Sequence, residues 1–507
     1  MEKKQSRRDF LRMVGGLAAG ATLAACAPKT VIVEVAKEVE KEVTRVVKET
    51  VKETVVVEGT PKVVEKEVTK VVTEKVEVPV EVERKGMTIM HFFGKEADVR
   101  RAALDEILGD FNVQSAKYAV EATFVPFGNI DEKTRAGIAA GNPPDVVVST
   151  GNDGGILGME GVSKDLDAYF EASGLPPWDE EHWAGYTIAK WSNTGIDGKK
   201  YGIPFLPDTR FLFMDVAAFK EAGLDPADPP VTWDDLEAYA DKLDKGKPGA
   251  WERVAFCPRW GNSFFMNWSF CMNLFLWDTL DQGGNPVLDR SEVREIIDWY
   301  IQWRDRYGKD DLDAFSATYA GTADPFISSV NPMMINGSWM PTRYKTNFPD
   351  FEIAYALHPR YPSPNGIHSS WGAGHCVYIP TNAQNADGAW SFIEFLMDKE
   401  RLTQWCITTG TFVGRLDAMA DPRLDTEVGI HWSTAVEQLK TTRTSDFQYG
   451  AWPTLACHNA MAAVWDGAQA VEEALAEQQT LLNQAIADWR KLHPDVPYEP
   501  DLGYVPG

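Results

Sequence analysis

Between residues 87 and 149 the chain alternates strand and helix patterns, and this alternation restricts its fold more than any other feature. Met87-Thr88-Ile89-Met90-His91-Phe92-Phe93 is an apolar strand. From Glu96 to Val113, residues Val99, Ala103, Leu104, Ile107, Leu108 and Phe111 recur at helical spacing and share one face. Tyr118 to Phe127 reads as a second strand, Asp131 to Ala140 as a second helix and Asp145 to Ser149 as a third strand. The order strand–helix–strand–helix–strand implies a parallel sheet with helices packed on it. Ligands of such sheets lie off the carboxyl ends of strands. Those ends here are Phe93-Gly94-Lys95-Glu96 and Ser149-Thr150-Gly151-Asn152-Asp153-Gly154-Gly155. The second loop carries glycines but lacks the lysine and spacing of a phosphate-binding P-loop.

The chain has 507 residues, 44% of them apolar and 11% aromatic, which excludes a single small core and disorder throughout. The net charge of −25 is unevenly placed: residues 1–85 are slightly basic, and the acidic excess lies in 86–507. A body of that charge repels phosphate backbones, so no nucleic-acid partner is expected. All 18 Trp lie after residue 86. They serve either as core or as platforms for a flat ligand.

Residues 1–26 read as an address rather than as structure. Ser6-Arg7-Arg8-Asp9-Phe10-Leu11-Arg12 matches a twin-arginine export signal. The uncharged run Met13 to Ala25 is too short to span a bilayer. Leu23-Ala24-Ala25-Cys26 then reads as a lipobox, in which Cys26 becomes the lipidated first residue of a bacterial lipoprotein; two or more acyl chains anchor stably. Residues 27–86 form a tether reduced largely to Val, Glu, Lys and Thr, without an aromatic. Val39, Val43, Val46 and Val47 fall at helical or heptad spacing, but Val is a poor helix former. A solvated stalk is expected there, a self-associating coiled coil being the alternative. The other cysteines, Cys257, Cys271, Cys376, Cys406 and Cys457, are odd in number and lack a CxxC pair, so buried thiols are expected instead of disulfides or a zinc cluster.

Further landmarks follow in order: Tyr201-Gly202-Ile203-Pro204; Asp208-Thr209-Arg210 ahead of an apolar strand; Thr232 three residues before Asp235, a capping box; Ile335-Asn336-Gly337-Ser338-Trp339; Trp371-Gly372-Ala373-Gly374; and a long helical pattern from about Leu455 to Lys491. Together with Ala139-Ala140-Gly141-Asn142-Pro143-Pro144-Asp145-Val146-Val147 and Ala468 to Leu475, these stretches resemble the extracellular solute-binding proteins of ABC importers, in the sugar-binding, maltodextrin-binding-like branch. The resemblance covers nearly all of 87–495. Extra length around Trp251–Leu288 and Asp421–Gly450 and the Trp load depart from the family pattern.

The resemblance implies an α/β, two-lobed periplasmic-binding-protein-like (Venus-flytrap) fold. Lobe I would comprise 87–210 and 377–419, and lobe II 211–376 and 420–507. It implies a solute receptor, not an enzyme, that captures a small solute, most simply a carbohydrate, and delivers it to ABC permease subunits from the extracytoplasmic face of the membrane. Neither metal nor cofactor is implied. By similarity the cleft is faced by Lys95, Glu96, Ser149, Asn152, Asp153, Asp208, Trp339, Trp371 and the segment at Trp452, with Trp260 a looser assignment. Indole faces cover the C–H face of a sugar, carboxylates such as Asp153 and Asp208 accept hydroxyl protons, and Asn152 can donate and accept. Arg210 or Arg415 would donate to sugar oxygens or capture an acidic sugar. The alternative is a lipid-anchored glycoside hydrolase or lyase, which needs two carboxyl groups facing one bond; no such pair stands out. His375-Cys376, with His368 nearby, reads as core.

Overall fold

The structure, a computed structural model, describes residues 30–43, 49–57, 60–68, 72–94, 98–151, 153–184, 193–195, 197–319, 324–429, 431–443, 452–492 and 494, with side chains from Glu83 onward except at 319 and 452. The export signal, the lipobox and Cys26 lie outside the described residues, as do Lys95, Glu96, Asn152 and the Trp452 side chain. The chain divides into two compact units: Met1–Met87 with Gly109–Val120, and Thr88–Leu108 with Glu121–Gly507.

In the first unit the tether is extended rather than helical. Strand β1 (Thr30–Val43) pairs antiparallel with β4 (Val72–His91), and β2 (Glu49–Val57) pairs with β3 (Thr60–Val68). Heptad-like valine spacing therefore does not decide this segment. The β-branched residue does, because a strand leaves its χ1 unhindered where a helix crowds it. The alternation Val31, Val33, Val35 supplies the matching period of two, and the register sets Val33 opposite Val82 and Val35 opposite Val80.

The second unit is built on two sheets. The first has the order β4, β6 (Val146–Val148), β13 (His375–Tyr378), β7 (Ile203–Leu206), with β5 (Tyr118–Phe124) pairing with β4. Strand β6 runs parallel to β4, but β13 is antiparallel to both of its neighbours. The parallel pairing expected within 87–149 is present between β4 and β6, and β13 makes the whole sheet mixed because it arrives from the other sheet and not through a helical crossover. Buried Asp145 ties this sheet to its covering helices. Its carboxylate accepts from the Thr88 N–H at 2.8 Å and the Asn385 N–H at 2.9 Å, at the head of the helix Ala386–Leu396. The second expected strand ends at Phe124, before Pro126, which has no N–H to give a ladder.

The second sheet has the order β11 (Met333–Gly337), β8 (Arg210–Asp215), β12 (Ile353–Ala356), all antiparallel. Strand β8 is buried along its length. A short hairpin of β9 (Lys245–Lys247) and β10 (Ala250–Arg253) stands apart. The helix Trp233–Leu243 opens with the expected capping box between Thr232 and Asp235. Beneath it Trp233, Trp268, Trp299 and Trp303 share one core; Trp268 and Trp299 lie 4.4 Å apart between ring centroids, and Trp233 and Trp299 lie 4.5 Å apart. The pattern running to Lys491 is two helices, Trp452–Trp465 and Val471–Leu492, parted at Gly467, whose φ of +71° no helix interior accepts.

The chain passes between the sheets three times: from β7 to β8, from β12 to β13, and between the helices Lys399–Thr409 and His431–Thr441. Trp405 of the former packs on Phe93 and Phe205 beside the first sheet, and His431 of the latter on Tyr355 beside the second. Among the described residues no helix is long and apolar enough to cross a membrane.

Candidate functional site

The first two crossing segments meet at one place. Gly372 lies against the Asp208 carbonyl so closely that a Cβ there would stand 2.2 Å from that oxygen, so only glycine lets the segments touch. The Gly372 N–H donates to the Arg443 carbonyl at 2.7 Å, and the Ala373 N–H donates to Asp208 Oδ1 at 2.9 Å. Ser338 N–H donates to the Thr209 carbonyl at 2.9 Å, which brings the end of β11 to the same point.

Asp208 and Arg210 form an ion pair here, with Arg210 Nη1 donating to Asp208 Oδ1. The guanidinium is buried, and Arg210 Nε donates to Asn262 Oδ1 at 2.7 Å. It lies over the Trp371 ring, 3.8 Å from the centroid, and 5.0 Å from that of Trp339. Burial pulls the Arg210 pKa down and Asp208 opposes the shift. The centre is a charge-balanced ion pair wedged among indoles. Phe264 meets Trp371 edge-on at 5.4 Å, with an interplanar angle of 87°. Trp371 Nε1 is buried without a hydrogen-bond partner among the described residues. Trp339 precedes the helix Met340–Asn347, and its ring packs over Gly337, where a Cβ would stand 2.2 Å from it.

The first sheet contributes a different surface. Ser149, at the end of β6, is buried, and its hydroxyl donates to the Gly151 carbonyl and accepts from the Gly151 N–H at 3.2 Å and from the Cys376 N–H of β13 at 3.4 Å. Asp153 follows on the same loop. Its Oδ1 is buried without a hydrogen-bond partner among the described residues. Burial first, and then the neighbouring Asp131, push its carboxyl up to about 6. His375 begins β13. Burial pulls its imidazole down to about 4, with Asp208 opposing and Arg100 adding to the fall, so the ring is neutral at pH 7.

Of the expected residues, the structure brings Asp208, Arg210, Trp339 and Trp371 together, and sets Ser149 and Asp153 on the first-sheet side. Trp260 stacks on Phe315 at 5.6 Å and 13°, so one of its faces is already covered. Arg415 is committed elsewhere, to Asp417 at 2.6 Å and the Met397 carbonyl at 3.0 Å. Cys376 is core, as are the other four described thiols. His375 is not wholly so: it is partly buried and Coulomb-coupled to Asp208 and Arg210. Asn262 and Phe264 were also unmarked by sequence. Their only signal was position in the Trp260 loop.

Residues 106–430 match the bacterial extracellular solute-binding proteins. The chain belongs to that family. A putative binding protein of Brucella abortus is 22% identical to this solute-binding protein over 302 residues, 58% of this chain and 68% of the relative. The sn-glycerol-3-phosphate-binding periplasmic protein UgpB of Escherichia coli K12 is 32% identical over 144 residues, 28% of this chain and 32% of its own. Among solved structures, CpMnBP1 with mannobiose bound aligns with a TM-score of 0.66 at 24% identity, covering 78% of this chain and 99% of that one. The sugar-binding protein MalE of Xanthomonas citri aligns at 0.64 and 19%, covering 81% and 100%. These likenesses show the two-lobed periplasmic-binding fold.

Proposed function

We propose that this solute-binding protein captures a neutral carbohydrate between its lobes and presents it to an ABC import permease, held to the extracytoplasmic face of the membrane through lipidated Cys26. In this reading the first and second sheets are the cores of the two lobes, so that β13 with His375 belongs to the first and β8 with Arg210 to the second, and the crossing segments just before residues 210 and 375 and around 419 are the hinge. The observation that carries the ligand class is the Asp208–Arg210 pair set among Trp371, Trp339 and Asn262. Indole faces, a carboxylate and an amide suit hydroxyls on an apolar ring. The guanidinium already has its counter-ion, so an acidic ligand would bring a charge that Arg210 is not free to pair. Arg100 is likewise paired, with Asp98 at 2.7 Å. This favours the chemistry named for the mannobiose-bound neighbour over that named for the glycerol-phosphate-binding relative, which matches over a shorter span. The hydrolase or lyase alternative finds no support in the family or in these neighbours.

Calorimetric titration of the purified protein with neutral oligosaccharides, sugar acids and glycerol phosphate tests this reading. Binding confined to neutral sugars, with no product formed, is expected. Preference for the phosphate ester would overturn it. Cys26→Ser is expected to move the protein from membranes to the soluble fraction. Retention after carbonate extraction would remove the lipid anchor from the account.

A further inference from the structure

Three rings gather on the first lobe where the chain leaves the sheet. Phe92 follows β4, Phe127 follows β5 in the single turn Phe127–Asn129, and His375 opens β13. The Val125 N–H donates to the His91 carbonyl at 2.8 Å, which fixes the two loop starts side by side. The Phe92 centroid lies 4.6 Å from His375 and 5.0 Å from Phe127, the latter pair at 89°. Phe127 and His375 are 6.1 Å apart at 81°.

Phe92 is 8% exposed, whereas Phe127 is 52% exposed. A single exposed Phe is ordinary on a protein surface. This one differs in its mounting. Two rings buttress Phe127 nearly perpendicular to it, so its orientation is fixed while half of it remains in water. The His375 ring interacts with the Ser149 backbone, yet its Nδ1 is buried and makes no well-formed hydrogen bond among the described residues. Leaving such an atom unsatisfied costs free energy. An apolar face and one isolated polar atom at this spacing match a pyranose, which offers a C–H face bordered by hydroxyls. His375 also feels the charges of Asp208 and Arg210, which ties the cluster to the hinge centre rather than to an outer surface.

We propose that Phe127 and His375 form a saccharide subsite on the first lobe: the Phe127 ring covers the apolar face of one sugar residue, and His375 Nδ1 hydrogen-bonds one of its hydroxyls. This rests on the carbohydrate reading above and adds to it a contact from the lobe opposite Trp339. It also implies a ligand of at least two sugar residues, one for each aromatic surface.

Calorimetry on the full protein and its Phe127→Ala, Phe127→Trp and His375→Phe variants, with glucose, mannose, mannobiose, mannotriose and maltopentaose as probes, tests the subsite. Phe127→Ala is expected to weaken the best oligosaccharide by roughly tenfold, the scale of one lost aromatic contact. Phe127→Trp keeps a ring face and should stay within about threefold. His375→Phe keeps the ring packing, removes the nitrogens and should weaken binding about fivefold to tenfold. Melting curves without sugar should change little for Phe127→Ala, since half of that ring is exposed already. Wild-type affinity in both Phe127→Ala and His375→Phe would overturn the subsite and leave the carbohydrate reading standing. A wild-type protein that binds none of the probes would overturn both.

Discussion

The two surfaces that meet at the hinge are built to opposite rules. On the second lobe the charged groups answer one another, although Trp371 Nε1 lacks a partner among the described residues: Arg210 reaches Asp208 and Asn262, and its guanidinium fills the space beside Trp371. On the first lobe Asp153 Oδ1 and His375 Nδ1 are buried without partners among the described residues, and Phe127 keeps half its surface in water. A group that is satisfied internally orders the site. A group left unsatisfied is where a ligand gains most, because binding removes a cost that folding left in place. The difference also separates two uses of tryptophan. Trp268 is fully buried among other indoles, whereas Trp339 and Trp371 keep partial exposure at the hinge.

The largest effect is expected where tryptophan is only core. Trp268→Ala should destabilise the protein by about 3–5 kcal/mol, measured by denaturant unfolding, while ligand affinity of the folded fraction stays at the wild-type value. A lost affinity at this position would mean that the second-lobe core and its cleft surface are not separable.

Next comes the hinge pair. Asp208→Asn or Arg210→Met alone should cost roughly 2–4 kcal/mol, because each strands a largely buried partner charge. The double variant should recover part of that loss, giving a coupling of about 1–3 kcal/mol in a double-mutant cycle. Strict additivity would show that the two charges do not depend on each other, and would remove the contrast between a satisfied and an unsatisfied lobe.

Asp153 sharpens the same contrast through pH. Its carboxyl stands at about 6 in the fold, against about 3.9 in an unfolded chain. Between those values the folded state holds more protons than the unfolded state, so stability falls as pH rises from about 4 to about 6 and is level above. The total loss reaches up to about 3 kcal/mol at the scale of that shift. Asp153→Asn should remove this contribution, flatten the slope relative to the wild type and raise the melting temperature at pH 7. Since a sugar hydroxyl donates to the ionised carboxylate, affinity should rise through the same window in the wild type and stay flat in the variant. The same pH dependence between 4 and 6 in wild type and Asp153→Asn would place Asp153 among the satisfied groups.

The smallest effect belongs to the tether. Deleting residues 31–82, which stops short of buried Arg84, should leave the stability and affinity of the remainder within about 0.5 kcal/mol, the range of changes that touch no core. A larger shift would show that the strands β1 to β3 stabilise the ligand-binding unit.

What the sequence determined by itself was local or carried by ordered motifs. The alternating apolar runs required an α/β sheet, Thr232 and Asp235 required a helix start, and the order of stretches from Ala139 to Leu475 pointed to the two-lobed family. Asp208, Arg210, Trp339 and Trp371 were legible for the same reason: they stand in or beside those stretches. The valine tether was legible as a separate segment, but its backbone turned on a competition between helical spacing and β-branching that spacing alone misjudges. The tertiary structure decided the rest. The sheet is mixed because β13 returns from the other lobe, which no run of local residues encodes. Arg210 lies among indoles instead of waiting for an anion because Asp208 and Asn262 converge on it from different segments. Most Trp are core because burial depends on which helix faces close over them. Phe127 and His375 lie 248 positions apart, and only the closing of β13 beside β6 and β7 sets their rings 6.1 Å from each other.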